Sequence, residues 1–402
     1  MPTGSYSRTD GAGSAWTGRL RRLLVASLAG IAIGFVVLLA TSQGLRTIRG
    51  GRIGGDLPAF YGAGRIVRGG ETPRLYDAEM QEAAQRDLLP GISGRVAFAY
   101  PPYVALAYVP LTWLPFKTAY AVHALVMALC LLAALAVLRP VLPAVRAELV
   151  PLFAASLLFY PIFRAVLGGQ NTPLSLLCAA GVAAALARRR DWLAGVWAGA
   201  WLFKPQYAVA VAAMLLVGRI DRRRFLVGFT AVALGYYAVG WILAGWDWPL
   251  WWLHHAREFT VADYAVDRGN GISLAEIAGE YGWRPLGWVA ASATGGFALW
   301  TMRRSDIHPV SAIAVATLTA VLIAPHSLYY DGGLAALALI AAGSLDRSTF
   351  AVIVSLWLLS WLQPVRTYLP LPPMTIVAIA SMWLAAGVKH VNTATPQRPT
   401  PN

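Results

Sequence analysis

Asp56, the stretch 168–171 (Gly-Gly-Gln-Asn), Lys204 and the pair His326/Asp331 are polar residues that interrupt or border long apolar runs. A carboxylate in such a place can take up a proton, a lysine and an imidazole can hold an anion, and side-chain amides can hydrogen-bond hydroxyls. Ionisable residues within membrane-embedded sequence are functional candidates by default. Whether these can act together depends on how the apolar runs between them cross a bilayer.

The composition fixes the class. The 402 residues are 57% hydrophobic and 13% charged, with a mean hydropathy of +0.56. A soluble domain would carry about a quarter charged residues, so the chain reads as an all-α polytopic membrane protein. The net charge of +14 does not point to nucleic acid, because many arginines sit in short clusters between apolar runs, as they do in cytoplasmic loops. Cys130 and Cys178 lie inside apolar runs and behave as small hydrophobes, so no disulfide framework or metal knuckle follows. Residues 23–40, after Arg19, Arg21 and Arg22, lack a convincing small-x-small cleavage site and read as a retained span.

The arginine clusters orient the rest. Arg188 to Arg190, Arg219 with Arg222 to Arg224, and Arg303/Arg304 are placed in the cytoplasm. Residues 192–217 are too long for one span of about 20 residues, so they read as two short spans with Lys204-Pro205-Gln206 as an outer turn. Outward crossings over 225–244, 309–324 and 350–362 alternate with inward ones over 285–302, 334–342 and 374–388. Working backwards, 172–187 runs inward from an outer Gly-Gly-Gln-Asn turn and 150–163 rises to that turn. Residues 101–115 read as a partial or re-entrant piece before a span over 118–138. About twelve transmembrane helices result, with the polar residues above all extracytoplasmic. Residues 21–390 form a single transmembrane domain. It lies between a cytoplasmic tail (1–20) and a disordered cytoplasmic tail (391–402), with a Trp-rich outer loop over 245–283. The first outer loop, 44–97, runs against the charge rule, with eight arginines and six acids.

That loop predicts two short amphipathic helices lying on the membrane. One opens at Asp56-Leu57-Pro58 and ends at Gly69-Gly70; the other opens at Asp77 and stops near Pro90-Gly91. Phe60, Tyr61, Ile66 and Val67 would rest at the interface while Arg65 and Arg68 face headgroups.

Absences narrow the chemistry. The lysines, Lys117, Lys204 and Lys389, do not follow glycine, so there is no P-loop, and no Asp-x-Asp, Gly-x-Ser-x-Gly or His-Glu-x-x-His occurs. What is present, in order, is Gly-Gly-Asp-x-x-x-Phe-Tyr around Asp56, Tyr-Pro-Pro at 100–102, Gly-Gln-Asn at 169–171, Lys-Pro-Gln at 204–206 and Pro-His-Ser at 325–327. In motif order and spacing, from about residue 20 to 385, the chain resembles glycosyltransferase family 87. These are C-type membrane glycosyltransferases that include polyprenol-phosphate-mannose-dependent mannosyltransferases. The resemblance implies a C-type glycosyltransferase fold, a polyprenyl-phosphate-sugar donor and a catalytic base in the first outer loop, here Asp56. The donor is then a co-substrate, and neither a cofactor nor a metal is expected. The other partners would be a lipid or glycan acceptor and membrane lipids, with no nucleic acid.

Transfer from such a donor needs one base and one cationic pocket, and a single carboxylate favours inversion. Asp56 would be the general base, and Lys204, His326 and Arg65 would hold the donor phosphate. Gln170, Asn171, Tyr61, Tyr100, Gln206 and Asp331 would contact sugar or acceptor, with an aromatic of the cluster Trp246 to Trp252 as a further packing surface. Each has a structural competitor: Asp56 a helix cap, Lys204 a snorkelling span end, His326 a satisfied structural histidine, the Gly-Gln-Asn segment a capping turn, Asp331 a cap or ion-pair partner. His254 and His255 read as interfacial and His123 as a core residue. The alternative function is a transporter or flippase of a lipid-linked saccharide in the plasma (inner) membrane, and a third is a structural subunit of an envelope-synthesis complex.

Overall fold

Prolines and glycines cut the apolar sequence into short helices whose broken ends face one another. The computed structural model describes residues 11–48, 52–89, 94–266, 269–343 and 347–388. The chain ends at 1–10 and 389–402, Pro90-Gly91 and Asp346 lie outside the described residues. Helix α1 (Gly11–Thr41) is followed in the first loop by α2 (Leu57–Arg68) and α3 (Ala78–Gln85). Then come α4 (Pro102–Tyr108) with a 3₁₀ turn (Val109–Trp113), α5 (Phe116–Leu138), α6 (Pro143–Ala147), α7 (Leu149–Leu157), α8 (Tyr160–Leu167) and α9 (Thr172–Ala187). Helix α10 (Asp191–Ala200) and α11 (Pro205–Val217) flank a 3₁₀ turn (Trp201–Phe203), and α12 (Arg222–Ala244), α13 (Trp248–Val266), α14 (Leu274–Glu280), α15 (Arg284–Arg303) and α16 (Pro309–Ile323) follow. A 3₁₀ turn (Tyr329–Leu334) opens into α17 (Ala335–Ala342); α18 (Arg347–Ser360), a last turn (Gln363–Tyr368) and α19 (Pro373–Gly387) complete the order. Among the described residues there are only isolated β-bridges and no strands.

Proline occupies the first turn of α2, α8, α9, α11, α15, α16 and α19. Its missing N–H costs nothing there and its fixed φ suits the helix. Helices α16 and α17 are apolar almost all round and are buried on nearly every face, so they form the centre of the bundle. Between α10 and α12, Gly195 and Gly228 let backbones touch: a Cβ on either would lie about 2 Å from a carbonyl oxygen, 1.9 Å from that of Phe225 or 2.0 Å from that of Trp192. Small residues allow this close approach where lipid supplies no hydrophobic drive.

Among the described residues, three helices are long and apolar enough to cross a membrane alone, within α1, α5 and α12, and up to four if the bent pair α7/α8 counts as one. Six further apolar helices among the described residues run 10–17 residues, and at 1.5 Å per residue the 15 residues of α16 reach only about 22 Å of a core about 30 Å thick. Helix length therefore supports a polytopic membrane protein without establishing twelve full crossings. Helix α9 covers the expected 172–187, and the expected pair of short helices around Lys204 is present. Two expectations gain detail and a third is corrected. Residues 150–163 do not form one straight span, because the chain bends by 71° between α7 and α8. The Trp-rich loop 245–283 contains the 19-residue helix α13 and the short helix α14. Helix α2 buries Phe60, Tyr61 and Ile66 against the protein, with Phe60 stacked on Tyr108, so these side chains do not rest in lipid.

Candidate active site

Two glycine pairs distant in sequence interlock and set the position of Asp56. Gly54 and Gly55 have φ of +83° and +53°, and Gly169 has +69°, values that side chains other than glycine's rarely tolerate. The Asp56 N–H donates to the Gly168 carbonyl at 2.8 Å. A Cβ on Gly55 would sit 2.5 Å from that same oxygen, and one on Gly169 would sit 2.5 Å from the Gly54 oxygen. Only glycine allows the two turns to lie backbone on backbone. As a result Gln170 Nε2 donates to Asp56 Oδ2 at 2.5 Å.

Asp56 stands at the N-cap position of α2, but its carboxylate makes no capping hydrogen bond. Asp77, by contrast, caps α3 by accepting from the Glu79 and Met80 N–H groups. The capping explanation therefore fits Asp77 and not Asp56. The Asp56 side chain stays 38% exposed, with the Arg52 guanidinium 3.9 Å away, so it is open to a reactant.

Lys204 leaves the helical ladder at the break before α11 and is buried. Its Nζ donates to Asp331 Oδ1 at 2.6 Å, and the two side chains are 4% and 7% exposed. The Tyr207 hydroxyl donates to Asp331 Oδ2 at 2.9 Å and lies 2.9 Å from Ser327 Oγ, so the carboxylate is held from both sides. The lysine is neither snorkelling nor an uncompensated cation: it is half of a neutral, hydrogen-bonded pair.

His326 sits in the turn after α16, with Nδ1 3.1 Å from Glu276 Oε1. Glu276 is 5% exposed and belongs to a strap that bridges to the histidine's own turn. Ile272 N–H donates to the Ser327 carbonyl and Tyr329 N–H to that of Asn270. Glu276 is not among the candidates that sequence reasoning finds. Its local signal is only a residue in the first turn of a short helix, and its partner lies 50 residues away.

These groups share one cavity of about 1060 Å³, lined by Asp56, Tyr100, Gln170, Lys204, Gln206, His326 and Asp331 among the expected residues. Its walls are largely apolar, with Phe60, Phe98, Phe203 and Val209, and one face of α13 supplies Trp252, Leu253, Ala256, Arg257, Phe259 and Thr260 at helical spacing. Trp252 Nε1 donates to the Ala99 carbonyl at 3.0 Å, fixing α13 against residues 95–101, which form another wall. The non-helical backbone at 54–56, 168–171, 204 and 325–328 thus gathers at a cavity, and irregular backbone in a membrane bundle is tolerated where it is buried in protein or lines a cavity.

Other expected residues lie elsewhere. Tyr61 is buried and donates its hydroxyl to the Leu114 carbonyl at 2.7 Å. Arg65 is paired with Asp87 through two hydrogen bonds of 2.6 and 3.0 Å, and Arg68 donates to the Thr112 carbonyl. Neither Tyr61 nor Arg65 lines the cavity, and the arginines hold the loop together instead of facing headgroups. Asn171 is buried behind the lining and accepts from the Tyr100 hydroxyl at 3.4 Å. Of the histidine pair, His254 is exposed beside Glu258. His255 is buried, stacked on Tyr76 at 4.6 Å, and is not interfacial. His123 is a core residue beside the Tyr108 hydroxyl.

A helical membrane protein whose broken helices surround a cavity bearing a held carboxylate defines the general class. The family model of glycosyltransferase family 87 matches residues 98–325, more than half of the chain, and the protein belongs to that family of membrane glycosyltransferases. Curated proteins and solved structures give no match.

Proposed function

We propose that the protein transfers a hexosyl residue, mannosyl in the first instance, from a polyprenyl-phosphate-sugar to a hydroxyl of a lipid or glycan acceptor. The reaction runs on the extracytoplasmic side of the plasma (inner) membrane. Asp56 is the general base: it takes the acceptor proton as the acceptor oxygen bonds to the anomeric carbon and the phosphate leaves with the electron pair of the broken C–O bond. Displacement from one side inverts the anomeric centre.

The observation that carries this reading is the Asp56 carboxylate, released from helix capping, held by Gln170 and exposed to the cavity. A positioned base of this kind contributes about 10²- to 10⁴-fold. The cavity is at the upper end of ligand sites, typically about 300–1,000 Å³. Its apolar wall suits the first isoprenes of the donor, while Gln206 and Tyr100 offer polar contacts to the sugar. Lys204 takes a different part from a bare phosphate clamp: paired with Asp331, it fixes the turn that carries Gln206. His326, backed by Glu276, presents a ring held in one orientation.

Reconstitution of the purified protein in vesicles with labelled polyprenyl-phosphate mannose, glucose, galactose and arabinose tests the proposal. A new glycosidic bond on an added acceptor lipid is the expected result. Movement of labelled donor across the bilayer with no new bond would replace the proposal by the flippase reading.

A further inference from the structure

The charges around the cavity do not balance, and the imbalance has a location. Four cationic side chains, Arg52, Arg95, Lys204 and Arg257, line it against two carboxylates, Asp56 and Asp331. Lys204 is matched by Asp331, and Arg52 lies beside Asp56. Among the described residues, Arg95 and Arg257 have no carboxylate within salt-bridge distance. Arg95 is oriented all the same: its Nε donates to Gln81 Oε1 at 3.1 Å. Gln81 is 1% exposed and is pinned in turn by the Phe98 N–H and the Leu75 carbonyl. The terminal guanidinium nitrogens of Arg95 have no acceptor among the described residues. Arg257 comes from α13, the helix that Trp252 ties to Ala99, and so from the wall adjoining the one that carries Arg95.

We infer that Arg95 and Arg257 form the subsite that receives the phosphate of the donor as it leaves. The inference rests on the transferase reading above. The donor is a phosphodiester and carries one negative charge. When the C1–O bond to phosphate breaks, its electron pair stays on the phosphate oxygen, the acceptor oxygen bonds to C1, and the acceptor proton passes to Asp56. The leaving group is then a polyprenyl phosphate monoester, whose charge at neutral pH is about −1.5 to −2. Two cations not already neutralised gain most from charge that grows during the reaction, which is the condition for lowering a barrier instead of merely binding the ground state. Two guanidinium groups on adjoining walls also offer the forked donors that suit phosphate oxygens.

The test compares farnesyl phosphate with its methyl diester as inhibitors of the full-length detergent-solubilised protein, in wild type and in R257Q, R95Q and the double variant. Wild type is expected to bind the monoester more tightly. Each substitution should weaken monoester binding about ten- to a hundredfold, the size of a hydrogen bond to a charged group, with little effect on the diester and a larger fall in kcat than rise in KM. An unchanged monoester preference in the double variant would overturn the subsite. Arg257 is exposed on a helix surface, so if R95Q unfolds, R257Q alone decides: no loss of preference there also overturns it. A wild-type protein that prefers the monoester but forms no glycosidic bond from any polyprenyl-phosphate sugar would refute the transferase reading and with it the leaving-group role, leaving only a site for phosphate monoesters. Transfer that proceeds with arginine variants indifferent to phosphate charge would refute the subsite alone.

Discussion

Gln170 donates its side-chain amide to the Asp56 carboxylate at 2.5 Å across 114 residues of sequence. The contact does for Asp56 what a second carboxylate could not. It holds one oxygen in place without setting a second negative charge beside it. Gln170→Glu should therefore damage activity more than Gln170→Ala. Two carboxylates at that separation resist ionising together, so residual transfer by the glutamate variant is expected only at raised pH. A pH–rate profile of both variants checks this.

The glycine interlock predicts a graded response to added methyl groups. Gly70 has φ +78° and open space around it, whereas Gly55 has φ +53° and a backbone oxygen 2.5 Å from where a Cβ would stand. Gly70→Ala should cost about 1–2 kcal/mol of left-handed strain. Gly55→Ala and Gly169→Ala should cost more and also abolish activity, because the turn pair that joins Asp56 to Gln170 must separate. Thermal midpoints measured beside transfer rates distinguish the three.

The buried pair of Lys204 and Asp331 makes stability, not only activity, sensitive to either partner. Lys204→Met leaves an uncompensated carboxylate, at a cost of about 3–5 kcal/mol. Replacing both, Lys204→Met with Asp331→Leu, should recover most of that stability. Were Lys204 simply a phosphate ligand at the cavity edge, the single variant would keep the wild-type thermal midpoint.

The first loop should loosen in acid through one ion pair. The Arg65 guanidinium, hydrogen-bonded to Asp87, holds that carboxyl below its ordinary value of 3.8. A carboxylate with a lowered folded pKa contributes stability above its unfolded pKa and loses it as pH falls through the folded one. Asp87 is 63% exposed, so the effect is small, below about 1 kcal/mol. Amide exchange in α2 and α3 should quicken as pH is lowered through that range, after correction for intrinsic rates, and Asp87→Asn should remove the dependence.

Much of this site is legible in the sequence because its residues break local rules. Lys204-Pro205 interrupts an apolar run, and the double glycines before Asp56 and Gln170 mark turns, so their types and places can be read one at a time. Their pairing cannot. Nothing near Asp56 names Gln170, nothing near Lys204 names Asp331, and Glu276 and Arg95 look like ordinary loop charges until the fold brings His326 and the cavity to them. The surface reading of Phe60 and Tyr61 fails for a related reason: an apolar helix face signals burial without saying whether lipid or protein covers it. Helix α13 is hidden because tryptophans, histidines and charges depress its hydropathy, although Trp252, Ala256 and Phe259 keep a helical spacing.

The most direct test of the central claim is the rate of sugar transfer by Asp56→Asn from a polyprenyl-phosphate-sugar. The asparagine keeps the shape and can keep a hydrogen bond with Gln170, but it cannot take a proton. The account predicts an unchanged thermal midpoint and a fall in kcat of about 10²-fold or more. Transfer at the wild-type rate by that folded variant would contradict it.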